Sequence, residues 1–192
     1  MSDLDTWLAA VVAAPGLTAF EDVREARAVL LDDSLRGLEL VEREQGPVVD
    51  VGSGGGAPGI PLAASLPDRE FVLLEAQERK CGFLREHAPP NARVVRGRAE
   101  EQELDWAGCA VAKALALPPV AAEWCLPLVR PGGAVVLWVG PSAERERVAG
   151  VAERLAAHLE DAPGGFLLLR KDGPTPAGFP RRTGVARKRP LA

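Results

Sequence analysis

Val48-Val49-Asp50-Val51-Gly52-Ser53-Gly54-Gly55-Gly56-Ala57-Pro58-Gly59 is the stretch on which the reading of this chain turns. Four residues suited to a buried strand end beside an acid, and a bend with almost no side chains follows. Glycine lets the backbone enter positive φ and lets a ligand come close to the main chain. Pro58 stands where a helix can begin, since a missing N–H costs nothing in a first helical turn. Strand, glycine turn and helix together predict a nucleotide-like ligand at the carboxyl edge of a parallel sheet.

On both sides of this run, short apolar stretches alternate with helical ones. Helices are expected over 4–13, 21–31 and 34–44 before the turn, then over 59–65, 77–87, 120–129 and 143–159. Strands are expected over 48–51, 71–74, 93–96, 110–112, 134–139 and 166–169. This alternation predicts an α/β fold, a doubly wound and mostly parallel sheet of the Rossmann-like type with N-terminal helices. The expected division is a helical segment over 1–46 packed on the core, a ligand-binding domain over 47–172 and a basic Pro/Gly-rich tail over 173–192.

Composition narrows the class. With 192 residues, 47% of them hydrophobic, the chain can bury a sizeable core. Its apolar runs are too short to span a bilayer, and its acidic start lacks the order of a secretory signal. A soluble, cytoplasmic, monomeric protein is expected. Cys81, Cys109 and Cys125 are odd in number and widely spaced, and His87 and His158 lack partners at ligand spacing. Reduced, buried thiols and no metal are therefore expected. The net charge of −4 is uneven: from Arg170 onward the chain carries +6, so the remainder carries −10. A basic end of this kind suits an anionic partner, nucleic acid first.

Two fingerprints overlap in the turn. Gly54-x-Gly56-x-x-Gly59 fits a dinucleotide loop, and Asp50-x-Gly52-x-Gly54-x-Gly56 fits the first motif of S-adenosylmethionine (SAM) methyltransferases. Glu75, closing the second strand, suits ribose hydroxyls in either case. A pyrophosphate at a helix N-terminus would be opposed by Asp50 just before the turn. SAM carries a sulfonium and an ammonium, which an acid tolerates or favours. The SAM reading leads. The Leu128-Val129-Arg130-Pro131-Gly132-Gly133 junction before an apolar strand suits it as well.

Over most of its length from Leu17, the chain resembles the glucose-inhibited division protein B family, the 16S rRNA guanine-N7 methyltransferases. Asp50 through Leu62, ending Pro-Gly-Ile-Pro-Leu, carries the likeness. It continues in Phe71-Val72-Leu73-Leu74-Glu75, Arg79-Lys80, Arg98-Ala99-Glu100 and the Phe179-to-Leu191 ending. The resemblance implies a SAM cofactor and 16S ribosomal RNA or the small ribosomal subunit as partner. It implies that Asp50, Gly52, Gly54, Gly56 and Ala57 form the cofactor loop, that Glu75 holds the ribose, and that Ala99 and Glu100 lie against the adenine. Lys113 stands where the family has an arginine and is the expected catalytic-site cation, and Val139 stands where a lysine is common. Arg181, Arg182, Arg187, Lys188 and Arg189 are expected to grip the RNA backbone. Two rival readings remain open: a SAM methyltransferase acting on another substrate, and a non-catalytic RNA-binding module of the same fold.

Overall fold

Val48–Val51 is apolar toward both faces, so it forms a strand that needs cover on each side; it is β1, the middle of a seven-stranded sheet. The computed structural model describes residues 3–192; Met1 and Ser2 of the expected acidic start lie outside the described residues. The remaining strands are β2 (Phe71–Glu75), β3 (Ala92–Arg96), β4 (Ala107–Lys113), β5 (Val129–Trp138), β6 (Ala157–Glu160) and β7 (Phe166–Lys171). They lie in the order β3-β2-β1-β4-β5-β7-β6. β1 to β5 are parallel, and β7 runs antiparallel to both β5 and β6. The chain reverses its direction of winding beside β1, which puts the glycine turn at the switch point of the sheet.

Helices cover both faces. They are α1 (Asp3–Ala13), α2 (Val23–Ala26), α3 (Asp33–Leu35), α4 (Leu38–Glu42), α5 (Gly59–Ser65), α6 (Glu78–His87), α7 (Pro118–Cys125), α8 (Arg145–Arg154) and α9 (Val185–Lys188). Alternate residues of β1 divide the core. Val49 and Val51 pack with α7 and α8, whereas Val48 packs with α4 and α5. A third cluster joins Trp7, Leu8 and Val11 of α1 to Ile60, Leu73 and Leu84.

Several expected boundaries shift. The helices expected over 21–31 and 34–44 are broken: α2 runs into a π-helical turn, Arg27–Asp32, and then α3, and Gly37 separates α3 from α4. A Cβ at Gly37 would come within 2.3 Å of the Trp138 ring, so close packing explains that glycine. The helix expected over 120–129 ends at Cys125, and Pro131-Gly132-Gly133 lies within β5 rather than before it. The helix expected over 143–159 stops at Arg154, with Ala156 in the left-handed region (φ 53°), and β6 begins at Ala157. A segment for which the sequence predicts helix thus carries an edge strand. A four-residue strand with one buried and one half-buried apolar position reads like one more helical turn.

The expected tail is not free. Lys171 is buried, and its Nζ donates to the Leu126 carbonyl (3.1 Å) and Thr175 Oγ1 (2.9 Å). Arg181 turns inward to Glu123, with Nε and Nη2 donating to the two carboxylate oxygens at 2.5 and 2.6 Å. Gly184 N–H donates to Glu100 Oε1 (3.1 Å), Thr183 Oγ1 to Glu101, and Ala186 is buried. The Glu123 side chain is only 2% exposed, so removing its partner strands a charge, an effect worth about 3–5 kcal/mol. Arg181→Ala is therefore expected to lower the thermal midpoint by roughly 10 °C. The double change Glu123→Leu with Arg181→Leu should recover most of that loss in a differential scanning measurement.

Candidate active site

The glycine turn after β1 is fastened by main-chain donors at both ends. Gly59 N–H donates to Asp50 Oδ2 (3.1 Å), and Gly54 N–H donates to Glu75 Oε2 (3.0 Å). The second oxygen of Glu75 accepts from Gln77 N–H (2.8 Å), which opens α6. A third anchor comes from far away in sequence: Trp7 Nε1 donates to the Gly55 carbonyl (2.8 Å). From the sequence alone, Trp7 reads as a packing residue. Its place among Leu8 and Val11 on one face of α1 indicated burial, but its polar end has no sequence signature.

Packing accounts for four of the five loop glycines. A Cβ at Gly52 would meet Leu115 Cδ1 at 2.3 Å, at Gly55 Val11 Cγ2 at 2.7 Å, at Gly56 Ile60 Cδ1 at 2.5 Å, and at Gly59 Asp50 Oδ2 at 2.5 Å. Gly54 differs. Its Cβ would meet only the Gly52 carbonyl oxygen, at 3.7 Å, and its φ of +56° lies where a side chain costs about 1–2 kcal/mol. No neighbouring side chain crowds that position, and Gly54 borders a cavity of about 300 Å³ at the carboxyl edge of the sheet. The cavity lies within the size range of small-ligand sites. Leu17, Phe20 and Leu30 give it apolar walls, and Lys80 and Lys113 also line it.

Asp50 lies beneath the loop, 1% exposed. Its Oδ1 has no hydrogen-bond partner, a state a buried carboxylate rarely tolerates without a role. Burial pushes its carboxyl up to about 7; the Gly59 N–H opposes that rise and the Glu75 charge adds to it. Lys113 ends β4, and its ammonium is held by Asp33 Oδ2 (2.6 Å) and by the Val29 carbonyl. Beside it on β5, Trp138 Nε1 donates to the Asp33 carbonyl (2.9 Å). Lys113 therefore ties the π-helical turn to the sheet as one wall of the cavity. Lys113 lowers the pKa of Asp33 against its desolvation, and Arg36 assists.

The expected site residues fall in three groups. Asp50, Gly52, Gly54, Gly56, Ala57 and Glu75 converge on the turn. Ala99 and Glu100 follow β3 on the neighbouring loop, whose Gly97 N–H donates to the Glu75 carbonyl (3.0 Å). Arg182, Arg187, Lys188 and Arg189 are exposed, whereas Arg181 is committed to Glu123. A larger cavity, about 560 Å³, opens at the opposite edge of the sheet. Each of its arginines is already bonded, Arg170 to Glu44 and Glu160, Arg36 to Asp33, Arg43 to Glu39 and Arg130 to the Gln45 carbonyl. The three thiols are buried and free, and burial pushes each pKa up, so none is a ready nucleophile.

The residues fit SAM: a glycine left bare toward the cavity, an orphaned acid below it for a cation, and a carboxylate at the second strand's end. The titration of Asp50 has its own consequence for stability. A folded-state pKa above the unfolded value means stability is full below about pH 4 and is lost as pH rises through about 7. Asp50→Asn removes that loss, so its thermal midpoint should exceed the wild-type value by a few degrees at pH 8, with the gap closing at pH 5.

A family model described as GidB, rRNA small subunit methyltransferase G, matches residues 1–162. The ribosomal RNA small subunit methyltransferase G of Pelotomaculum thermopropionicum is 37% identical over 197 residues, covering 91% of this chain and 82% of that protein. Its counterpart in Rubrobacter xylanophilus is 36% identical, covering 92% and 74%. Among solved structures, the T. thermophilus 16S rRNA N2 G1207 methyltransferase in complex with AdoMet and guanosine superposes with a TM-score of 0.57 at 16% identity. It spans 78% of this chain and 41% of that one, a likeness of fold. With its SAM-methyltransferase fold and its loop, the chain belongs to the GidB family of rRNA small subunit methyltransferases.

Proposed function

We propose that this protein transfers a methyl group from SAM to N7 of a guanine in 16S ribosomal RNA, acting as a monomer in the cytoplasm. Gly54 carries the reading: it is the loop glycine that no neighbouring side chain crowds, and it borders the cavity. Relatives named for small-subunit rRNA methylation support the substrate class. None of the described helices is long and apolar enough to cross a membrane.

When bound, SAM supplies an electrophilic methyl on a sulfonium. The residues of this chain hold and align. Gly54 leaves the main chain bare for close approach, and Asp50 offers a negative field beneath a cationic ligand. Glu75, poised at the end of β2, would hold the ribose hydroxyls, with Ala99 and Glu100 beside the adenine. Guanine N7 carries a free lone pair and no proton, so the acceptor needs no general base. The carboxylates at the turn agree with that chemistry: Asp50 is sealed below the loop and Glu75 is bonded to two main-chain donors. Rate then comes from alignment. Lys113 contributes by fixing the wall over 29–33, and Arg182, Arg187, Lys188 and Arg189 contribute by gripping phosphates.

Gly54→Leu should fold, because space is open there, yet lose SAM affinity at least a hundredfold in a titration calorimetry experiment. Unchanged affinity would refute the loop assignment. Lys113→Ala leaves Asp33 to Arg36 alone and loosens one wall, so transfer to rRNA should fall about 10- to 100-fold, the scale of a misplaced reacting group. The substrate itself is tested by mapping N7-methylguanine in 16S rRNA from cells with and without the protein. An identical map in both would sink the reading.

A further inference from the structure

The cations of this molecule are not distributed evenly between partnered and partnerless. Toward the amino ends of the parallel strands they are neutralised at short range: Arg43 by Glu39, Arg93 by Glu70, and Arg170 by Glu44 and Glu160. At the carboxyl edge, beside the cofactor cavity, the first turn of α6 differs. Arg79 and Lys80 have no carboxylate within ion-pair distance among the described residues. Their one acidic neighbour in that turn, Glu78, already serves two arginines, Arg85 (2.9 Å) and Arg96 (3.3 Å). With Glu86 on the same helix, these four cations meet two carboxylates, a local excess of +2.

Position gives this excess a use. Lys80 borders the cavity at the glycine turn. The Arg79 guanidinium passes over the Pro15-Gly16-Leu17 bend, where a Cβ on Gly16 would lie 3.1 Å from Nη2, and Leu17 is itself a wall of the cavity. α6 covers the face of the sheet it shares with α1, where Leu84 packs with Trp7 and Leu8. The basic C-terminal segment lies on the other face, where α9 packs on α7 and Gly184 bonds to Glu100. Two basic surfaces thus stand on opposite faces of the sheet, and the one on α6 borders the cavity.

We propose that Arg79 and Lys80, with Arg85 and Arg96 behind them, form a second phosphate-binding arm, so that the RNA backbone is held on both sides of the cofactor cleft. The C-terminal segment is the first arm, and the proposal rests on the rRNA reading above. Such contacts orient the substrate without reading its bases. They fit an acceptor whose N7 must be presented to one point, because two grips separated by the cleft fix direction where a single grip leaves rotation free.

The test measures binding of wild type, Arg79→Gln, Arg79→Gln with Lys80→Gln, and the opposite-edge control Arg93→Gln. Probes are a full-length 16S rRNA transcript and isolated small ribosomal subunits, each across a salt series. Each lost phosphate contact should flatten the slope of log affinity against log salt by about 0.7–0.9. The double variant should bind about tenfold more weakly at 0.1 M salt. Arg93→Gln should match wild type, and Arg79→Gln should keep its SAM affinity. Unchanged slopes on both probes overturn the arm, as does a loss of SAM affinity as large as the loss of RNA affinity. A wild-type protein that methylates rRNA while the charge variants bind it equally well sinks this arm alone. One that neither binds nor methylates either RNA sinks the functional reading with it.

Discussion

The site depends on a chain of main-chain hydrogen bonds to two carboxylates. Asp50 and Glu75 end neighbouring parallel strands, and each accepts an N–H from the turn between β1 and α5. Amide bonds to ionised groups are among the stronger ones available to a protein. They hold a loop of nearly bare backbone in one shape, and Trp7 supports it from behind. Cavity, exposed Gly54 edge and orphaned Asp50 oxygen all follow from that fixed loop. The cost is the placement of an acid in a dry environment, and its raised pKa expresses that cost.

The parts of the fold with strong local patterns were legible. The runs Val48–Val51 and Phe71–Glu75 are short, apolar and bounded by turn residues, and both are strands where expected. Asp50, Gly54 and Glu75 meet because a parallel sheet brings consecutive strand ends side by side, a consequence of topology that a sequence pattern can carry. The hairpin of β6 and β7 was not legible. Two alternating apolar positions in a four-residue strand look the same as the end of the amphipathic helix before them.

The polar partnerships at long range were also hidden. Arg181 counts as a tail cation in any composition, and only the fold reveals that Glu123 receives it 58 residues away. Lys113 and Asp33 likewise find each other across β4 and α3, with Trp138 from the next strand completing the bracket. The sequence can state how much charge a segment carries, but whether it is spent internally or left for a partner is settled by packing. The same distinction separates Arg181, which holds the C-terminal segment down, from Arg182 and its exposed neighbours.

The two rims of the sheet remain. β3, at one end, carries Arg93 and Arg96 outward, and β6, at the other, is only four residues long and bears His158 and Glu160. Unpaired strand rims invite other chains to add on, and short length and charge are the usual defences. A polypeptide with a long, largely apolar parallel centre is hazardous while it folds. Guarding both borders this way keeps crowded copies from zipping together, and it leaves the active edge as the place where another macromolecule is welcomed.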